Sequence, residues 1–200
     1  MMSKENKSRY ALLGMLSLAP MSGYDLKKAT DESIGYFWQE NYAQIYPMLK
    51  QLTKEGLTTS HVEEQEGKPD RHVYTLTDKG REELQRWLSE PADYQVYRSE
   101  LLLKLFFGKQ TSLPVSAEHI RQYRERQVHL LHAIEGMEAD FPERWNENPN
   151  APYWLITMSY GRHNAQASIA WCDETLAALE KLSEQPETTT PNKEKTAYGN

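Results

Sequence analysis

The 200-residue chain has one cysteine, Cys172. A single thiol excludes an internal disulfide and any CxxC metal or redox pair, which fits a reducing cytoplasm. No apolar run approaches the roughly 18 residues of a membrane span, and the opening MMSKENKSRY lacks the apolar centre of a signal peptide. A cytoplasmic protein with no membrane partner is expected. Catalytic patterns are missing as well: there is no GxSxG, no phosphate-cradling glycine loop and no HExxH. His129 and His132 stand three apart on a predicted helix, but no third ligand lies near them in sequence, and a dimer contact is the plainer use. Asp173 and Glu174 are adjacent, point to different helix faces and read as solvated surface. No enzyme, cofactor or metal is expected. Positive charge is scarce too. The net charge is −6, and residues 1–90 hold 12 Lys plus Arg against 14 Asp plus Glu, so any case for nucleic acid rests on local placement.

What is present falls into two regions. SRYALLGMLSLAP predicts a short helix with Leu12, Leu13 and Leu16 on or near one stripe, stopped by Pro20. Ser22 is an N-cap candidate for a second short helix, SGYDLKKATDES, and an aromatic turn, IGYFWQE, leads to a third. TTSHVEE and RHVYTLT follow as β-compatible segments around QEGKPD, whose Gly67 and Pro69 mark a hairpin turn. Thr77 caps DKGREELQRWLS, with Leu84, Trp87 and Leu88 at helical spacing. Residues 91–97 have the composition of a linker. Beyond them RSELLLKLFFG is a short apolar helix, and Ser116 opens a long one with Ile120, Tyr123, Gln127, Leu130, Ile134, Met137 and Phe141 at coiled-coil intervals. A last helix of about 30 residues starts near Pro152, with small residues at Ala165, Ala167 and Ala170. The tail, 184–200, is polar without apolar pattern and is expected to be disordered.

The third helix carries a proline in its interior. In NYAQIYPMLKQLTKEGL, Ile45, Met48, Leu49 and Leu52 share one side, and the opposite side holds Ala43, Pro47, Lys50 and Lys54, flanked by Gln44, Tyr46 and Gln51. Gly56 ends the helix as a left-handed cap. If Asn41 is the N-cap, Pro47 deletes the backbone bond to Ala43, and an interior proline costs roughly 3 kcal/mol. A start near Tyr46 would avoid most of that cost. Either way the outward face has amide, phenol and ammonium groups without acids or metal ligands, a surface suited to a polyanion.

Helix, helix, outward-faced third helix and hairpin is the order of a winged helix-turn-helix, in which helix three enters the major groove and the hairpin touches the flanking backbone. The fold expected is mainly α, a winged helix-turn-helix domain over 1–90 and an all-helical domain over 98–183. SGYDL, QIYPMLKQLTKEGL, HVYTLTDKG, REELQRWL and ELLLKLFFG, in that order, resemble the PadR family of bacterial transcriptional regulators. The resemblance is strong over residues 8–108 and looser beyond, where it rests on helix lengths and on LITMSYGRHNAQASIAWCDETL. It implies that Tyr46 and Lys50 face DNA, where the amide missing at Pro47 costs no contact, and that the C-terminal helices make a homodimer. The expected partner is double-stranded operator DNA. Tyr42, Gln44, Tyr46, Lys50 and Lys54 are expected at the major groove, Lys68 and Arg71 at backbone or minor groove by the wing, and Ser22, Tyr24 and Lys27 at phosphates.

Five tryptophans and twelve tyrosines are generous for this length. The sets Tyr36, Phe37, Trp38, Tyr42 and Tyr153, Trp154, Tyr160, His163, Trp171 suit core packing, the favoured use, or a flat ligand held by stacking and a hydrogen bond. The resemblance implies a small aromatic, phenolic acid-like effector. The candidates for it are Tyr36, Trp38, Tyr153 and Trp154, with Arg162 or His163 meeting a carboxylate. Two alternatives stay open: a winged helix that binds protein rather than DNA, and a helical small-ligand protein.

Overall fold

A computed structural model describes residues 7–38, 41–64, 70–93, 98–145 and 147–184, apart from the side chains of Tyr42 and Arg144. The expectations for Lys68 and for the tail after Glu184 lie outside the described residues, as does most of the linker. The chain divides into two compact units, 1–95 and 96–200.

The first unit contains helices α1 (Ser8–Leu18), α2 (Gly23–Ser33), α3 (Tyr42–Lys54) and α4 (Asp78–Leu88), with strands β1 (Met21–Ser22), β2 (Thr58–Glu63) and β3 (Arg71–Leu76). The predicted hairpin is β2–β3, with Thr58 opposite Leu76 and Glu63 opposite Arg71. β1 is an addition. It pairs antiparallel with β3 through Met21 opposite Tyr74 and Ser22 opposite Val73, which makes β3 the middle strand. Two residues are too few to show an alternating pattern, so no periodicity announces this strand.

One apolar core holds the unit together. Leu12, Leu13 and Leu16 of α1, Leu26 of α2, Ile45, Leu49 and Leu52 of α3, and Leu57, Tyr74 and Leu84 are all buried in one cluster. The ring of Tyr10 stacks on Trp87 at 4.5 Å, and its hydroxyl donates to Glu83 Oε1 at 3.0 Å, tying α1 to α4. Leu88, at helical spacing with these, is exposed. Thr77 caps α4 by accepting from the Gly80 amide at 3.0 Å. A Cβ on Gly80 would sit 2.1 Å from the Leu57 carbonyl oxygen, so only glycine fits where the first turn of α4 passes the backbone between α3 and β2.

The second unit contains α5 (Glu100–Phe106), a 3-10 turn (Gly108–Gln110), α6 (Leu113–Trp145) and α7 (Ala151–Glu184). α6 begins three residues before Ser116 and continues past Pro142. A proline in the first turn, Pro114, costs little because that amide has no helical partner. Ile120, Ile134 and Phe141 from α6 and Ala151, Ala165 and Cys172 from α7 are buried. A Cβ on Gly161 would lie 3.0 Å from Ile134 Cδ1, so the two long helices approach closely there. Arg124 Nε donates to Asp173 Oδ1 at 2.6 Å between them, so Asp173 is paired surface rather than merely solvated. Ala165 faces α6, while Ala167 and Ala170 are exposed. Among the described residues no helix is long and apolar enough to cross a membrane.

Candidate nucleic-acid interface

α3 starts at Tyr42. Asn41 is its N-cap, accepting from the Ala43 amide at 3.0 Å, so Pro47 lies within the helix and forfeits its bond to Ala43. The buried side is Ile45, Met48, Leu49 and Leu52, and the opposite side, with Gln44, Tyr46, Pro47, Lys50, Gln51 and Lys54, is open to solvent. Gly56 has φ of 75°, the left-handed cap expected from its position. Lys79 Nζ donates to the Glu55 carbonyl at 2.7 Å just beyond the last turn, satisfying an acceptor that the helix leaves open.

Tyr46 is 45% exposed, yet its ring is not adrift. A Cβ on Gly23 would meet its Cε1 at 2.6 Å and its Cζ at 2.9 Å, so the phenol of α3 lies against the first turn of α2. Its neighbour on the inner side is Tyr74, whose phenol is held above the ordinary tyrosine range by burial first and by the Tyr46 phenol second. Sequence reading had assigned Gly23 no role. The signal was its position at the start of a capped helix.

The first turn of α2 is a capping box. Ser22 Oγ accepts from the Asp25 amide at 3.2 Å and donates to Asp25 Oδ2 at 2.7 Å, and the Ser22 amide donates to the same oxygen at 3.1 Å. Ser22 is buried and its hydroxyl is used in this cap. Tyr24 projects outward, 61% exposed. Lys27 pairs with Asp31 one turn on. The Asp25 carboxyl is held below the ordinary aspartate value by the Ser22 hydroxyl first, with smaller help from the Ser22 amide and Arg71, against the opposing effect of burial.

Arg71 begins β3. Its Nε donates to Glu63 Oε2 at 2.8 Å across the hairpin, and its Nη1 lies 3.4 Å from Asp25 Oδ2. His61 Nε2 stands 3.4 Å from Glu63 Oε1. The arrangement brings Tyr24, Gln44, Tyr46, Lys50 and Lys54 onto exposed surface, whereas Arg71 meets two carboxylates. The Asp25 partner was legible as the S-x-x-D spacing of a capping box; the Arg71 contact joins residues 46 apart and had no local signal.

The effector candidates divide differently. Tyr36 and Phe37 are half exposed and Trp38 is partly buried, so these three do not pack as core. In the second unit Tyr153 is 71% exposed and Tyr160 is similar, again against the core-packing expectation, while Trp154 packs edge-on against Trp145 at 5.2 Å. Arg162 Nε donates to Glu138 Oε1 at 3.3 Å, and His163 Nδ1 lies 2.8 Å from the Ser159 carbonyl oxygen. Between α5, the 3-10 turn and the start of α6 an open hollow of about 350 Å³ is lined by Leu103, Phe107, Val115, Ser116 and His119. Among the described residues no cluster of His, Cys, Asp and Glu could hold a metal ion.

An outward third helix behind a three-helix core, followed by a β-hairpin wing, defines a winged helix-turn-helix, a DNA-binding class. Residues 12–86 match the family model described as transcriptional regulator PadR-like, and residues 97–180 match the one described as virulence activator alpha C-terminal. Residues 12–86 thus form a PadR-like regulator domain, and the matches indicate a transcriptional regulator rather than an enzyme. The chain is 29% identical over 179 residues to the negative transcriptional regulator PadR of Bacillus subtilis, covering 86% of this chain and 97% of that protein. The fold is similar to the crystal structure of B. subtilis PadR in complex with operator DNA, with TM-score 0.77 and 27% identity over 87% of this chain and 99% of that one. It is similar also to the structure of that protein with p-coumaric acid, with TM-score 0.71 and 26% identity over 88% and 99%.

Proposed function

We propose that the protein is a dimeric, cytoplasmic, sequence-specific repressor that reads operator DNA with α3 and is released by a small aromatic carboxylate. The observation that carries the DNA-reading role is the division of α3 into a fully packed side and a solvent side bearing Gln44, Tyr46, Lys50 and Lys54 without a carboxylate among them. Tyr42, Gln44, Tyr46, Lys50 and Lys54 meet the major groove, and Lys68 meets backbone or minor groove at the wing. Tyr24 and Lys27 approach the phosphate on the α2 side. The operator complex of B. subtilis PadR supports this reading.

Dimerisation is supported by apolar surface that the second unit does not bury. Phe106 is 81% exposed, and Tyr153, Ile156 and Tyr160 follow one another along one face of α7. The effector role is supported by the B. subtilis complex with p-coumaric acid. Tyr36, Trp38, Tyr153, Trp154, Arg162 and His163 are its candidate contacts here.

The test starts from duplexes selected from a random pool by the purified protein. Lys50→Ala is expected to lower the slope of log affinity against log salt by roughly one unit. Tyr46→Ala is expected to cost operator affinity far more than affinity for a scrambled duplex. Calorimetry with p-coumarate on free and operator-bound protein tests release: weaker binding in the DNA complex supports it, and equal affinity in both states removes it, since an effector shifts an equilibrium only by its differential affinity. Binding to DNA without steep salt dependence would favour the protein-binding alternative.

A further inference from the structure

The sequence alone places Arg71 at the DNA backbone or minor groove by the wing. The structure sets its guanidinium between two carboxylates instead, Glu63 at 2.8 Å on the facing strand and Asp25 at 3.4 Å on α2. One cation and two anions leave this triad with a formal charge of −1. A phosphate arriving here would have to displace a carboxylate or approach a site of its own sign, which makes Arg71 a poor backbone contact.

From the geometry we infer that Arg71 is a positioning residue: it latches the wing to the first turn of α2 and thereby fixes the angle between the wing and the recognition helix. The connection can be followed atom by atom. Arg71 is the cross-strand partner of Glu63, at the outer end of the described hairpin. Asp25 Oδ2, the oxygen facing Arg71, also accepts from the Ser22 hydroxyl and amide. Gly23, next in the same turn, is the surface on which the Tyr46 ring of α3 rests. Wing, α2 turn and α3 phenol therefore share one set of contacts. A guanidinium suits the task because it donates from Nε to Glu63 while its planar fork holds Nη1 in ion-pair reach of Asp25, which an ammonium cannot match in fixed geometry. Preorganisation of two reading elements contributes specificity rather than raw charge, because a misplaced wing still attracts any duplex but no longer fits beside a correctly seated α3.

This inference rests on the DNA-reading role proposed above, and its experiment separates the two. The variants are Glu63→Gln and the pair Arg71→Gln with Glu63→Gln. The pair keeps the triad at −1, so charge is not the variable. Each is measured on a selected operator and on a scrambled duplex over a salt series, with a thermal melt to confirm folding. The latch predicts that both variants lose about tenfold in operator affinity while binding to the scrambled duplex stays within about twofold. The pair should leave the salt slope unchanged, whereas loss of a phosphate contact would lower it by about one. A Glu63→Gln variant that binds both duplexes more tightly would overturn the latch, because it would mean that a freed Arg71 reaches DNA. Equal loss on both duplexes with a reduced slope in the pair would overturn it too, as would no change in either variant. Amide exchange is the readout independent of DNA. Protection in 58–63 and 71–76 should fall in the pair even if the wild type bound no duplex; such an outcome would remove the DNA reading and keep the latch, and unchanged protection would remove the latch.

Discussion

The two units solve the problem of burying apolar surface in opposite ways. In the first, four short helices and a small sheet close around one cluster, so that Leu13, Leu26, Leu49 and Leu52 are completely buried and the aromatic surface left over is that of Tyr24, Tyr36, Phe37 and Tyr46. In the second, two helices of more than thirty residues lie along one another, and two cylinders can cover only one stripe each. Ile120, Ile134 and Phe141 are covered. Leu103, Phe106, Phe107, Tyr153, Ile156 and Tyr160 are left in water. We propose a second copy of the chain as the cover for this apolar surface.

The sharpest way to break this contrast is to charge the open face of α7. Ile156→Asp combined with Tyr160→Asp places two carboxylates where the proposed interface must dehydrate them, which costs several kcal/mol apiece if they remain charged. Sedimentation is expected to fall from about twice 23.3 kDa to 23.3 kDa. Operator affinity should drop by roughly 10² or more as bivalent binding is lost. The same pair of changes should leave the first unit's melting intact, because none of its core is touched. A variant that sediments as the wild type does would show that this face is not the interface.

Gly80→Ala strikes the self-sufficient unit instead. The added methyl would overlap the Leu57 carbonyl, which is backbone and cannot step aside as a side-chain tip can. Overpacking of this kind costs typically 1 to 3 kcal/mol and occasionally more, and the upper end is expected here. Thermal denaturation should show it as a fall of roughly 4–8 °C per kcal/mol in the transition of a unit this size. The dimer should persist. A normal melting temperature would mean that α4 can shift without loss, and the close approach would then have no energetic weight.

Acid offers a third, graded distinction. The carboxyls of Asp25, Glu63 and Glu83 are all held below their ordinary values, chiefly by hydrogen bonds from Ser22, Arg71 and Arg86 respectively. A group whose folded value is depressed contributes stability that is present above its unfolded value, about 4, and is lost as pH falls through the folded one. The first unit should therefore lose stability progressively below about pH 4. Asp25→Asn is expected to flatten the part of that loss due to the capping box, at the cost of lower stability at neutral pH. Melting curves between pH 2.5 and 6 test this, and a stability that rises on acidification would contradict it.

Much of this contrast was legible in the sequence, for identifiable reasons. Helices with one apolar stripe and a capping residue were readable from local spacing: Ser22 opens α2, Thr77 opens α4 and Gly56 closes α3 where the residue types require. The outward face of α3 followed from its 3.6-residue period. What local spacing did not show was either too short or too distant. β1 is two residues held by tertiary pairing alone. The start of α6 shifted because Ser116 looked like a cap while Pro114 tolerates a first turn. The exposed Tyr153 and Tyr160 were read as core because composition does not reveal which stripe of a long helix finds a partner. The Arg71 pairs join Glu63 and Asp25 across the fold, and a basic residue beside a wing tip looks the same in sequence whether it meets phosphate or carboxylate.

The smallest effect expected lies inside the first unit's own core, at Thr30. This residue is completely buried on α2, and its hydroxyl is among the few buried polar atoms that find no hydrogen-bond partner among the described residues. A buried hydroxyl left unpaired carries its desolvation cost, about 1 to 3 kcal/mol, with nothing to offset it. Valine has nearly the same shape and a similar helix propensity, so Thr30→Val removes the cost while changing little else. That cost is the hydration the hydroxyl has in the unfolded state and lacks in the folded one, so removing the hydroxyl is expected to stabilise the unit by about 1 kcal/mol. Urea denaturation, followed by the fluorescence of Trp38 and Trp87 with the three C-terminal tryptophans replaced by phenylalanine, isolates this unit. The midpoint should rise with an unchanged slope, and sedimentation should stay that of the wild type. A fall of similar size would mean that the hydroxyl is paired after all, with water or with a group outside the described residues. In that case the first unit's core would contain a satisfied polar contact rather than a flaw, and its advantage over the open second unit would be greater than its buried leucines alone imply.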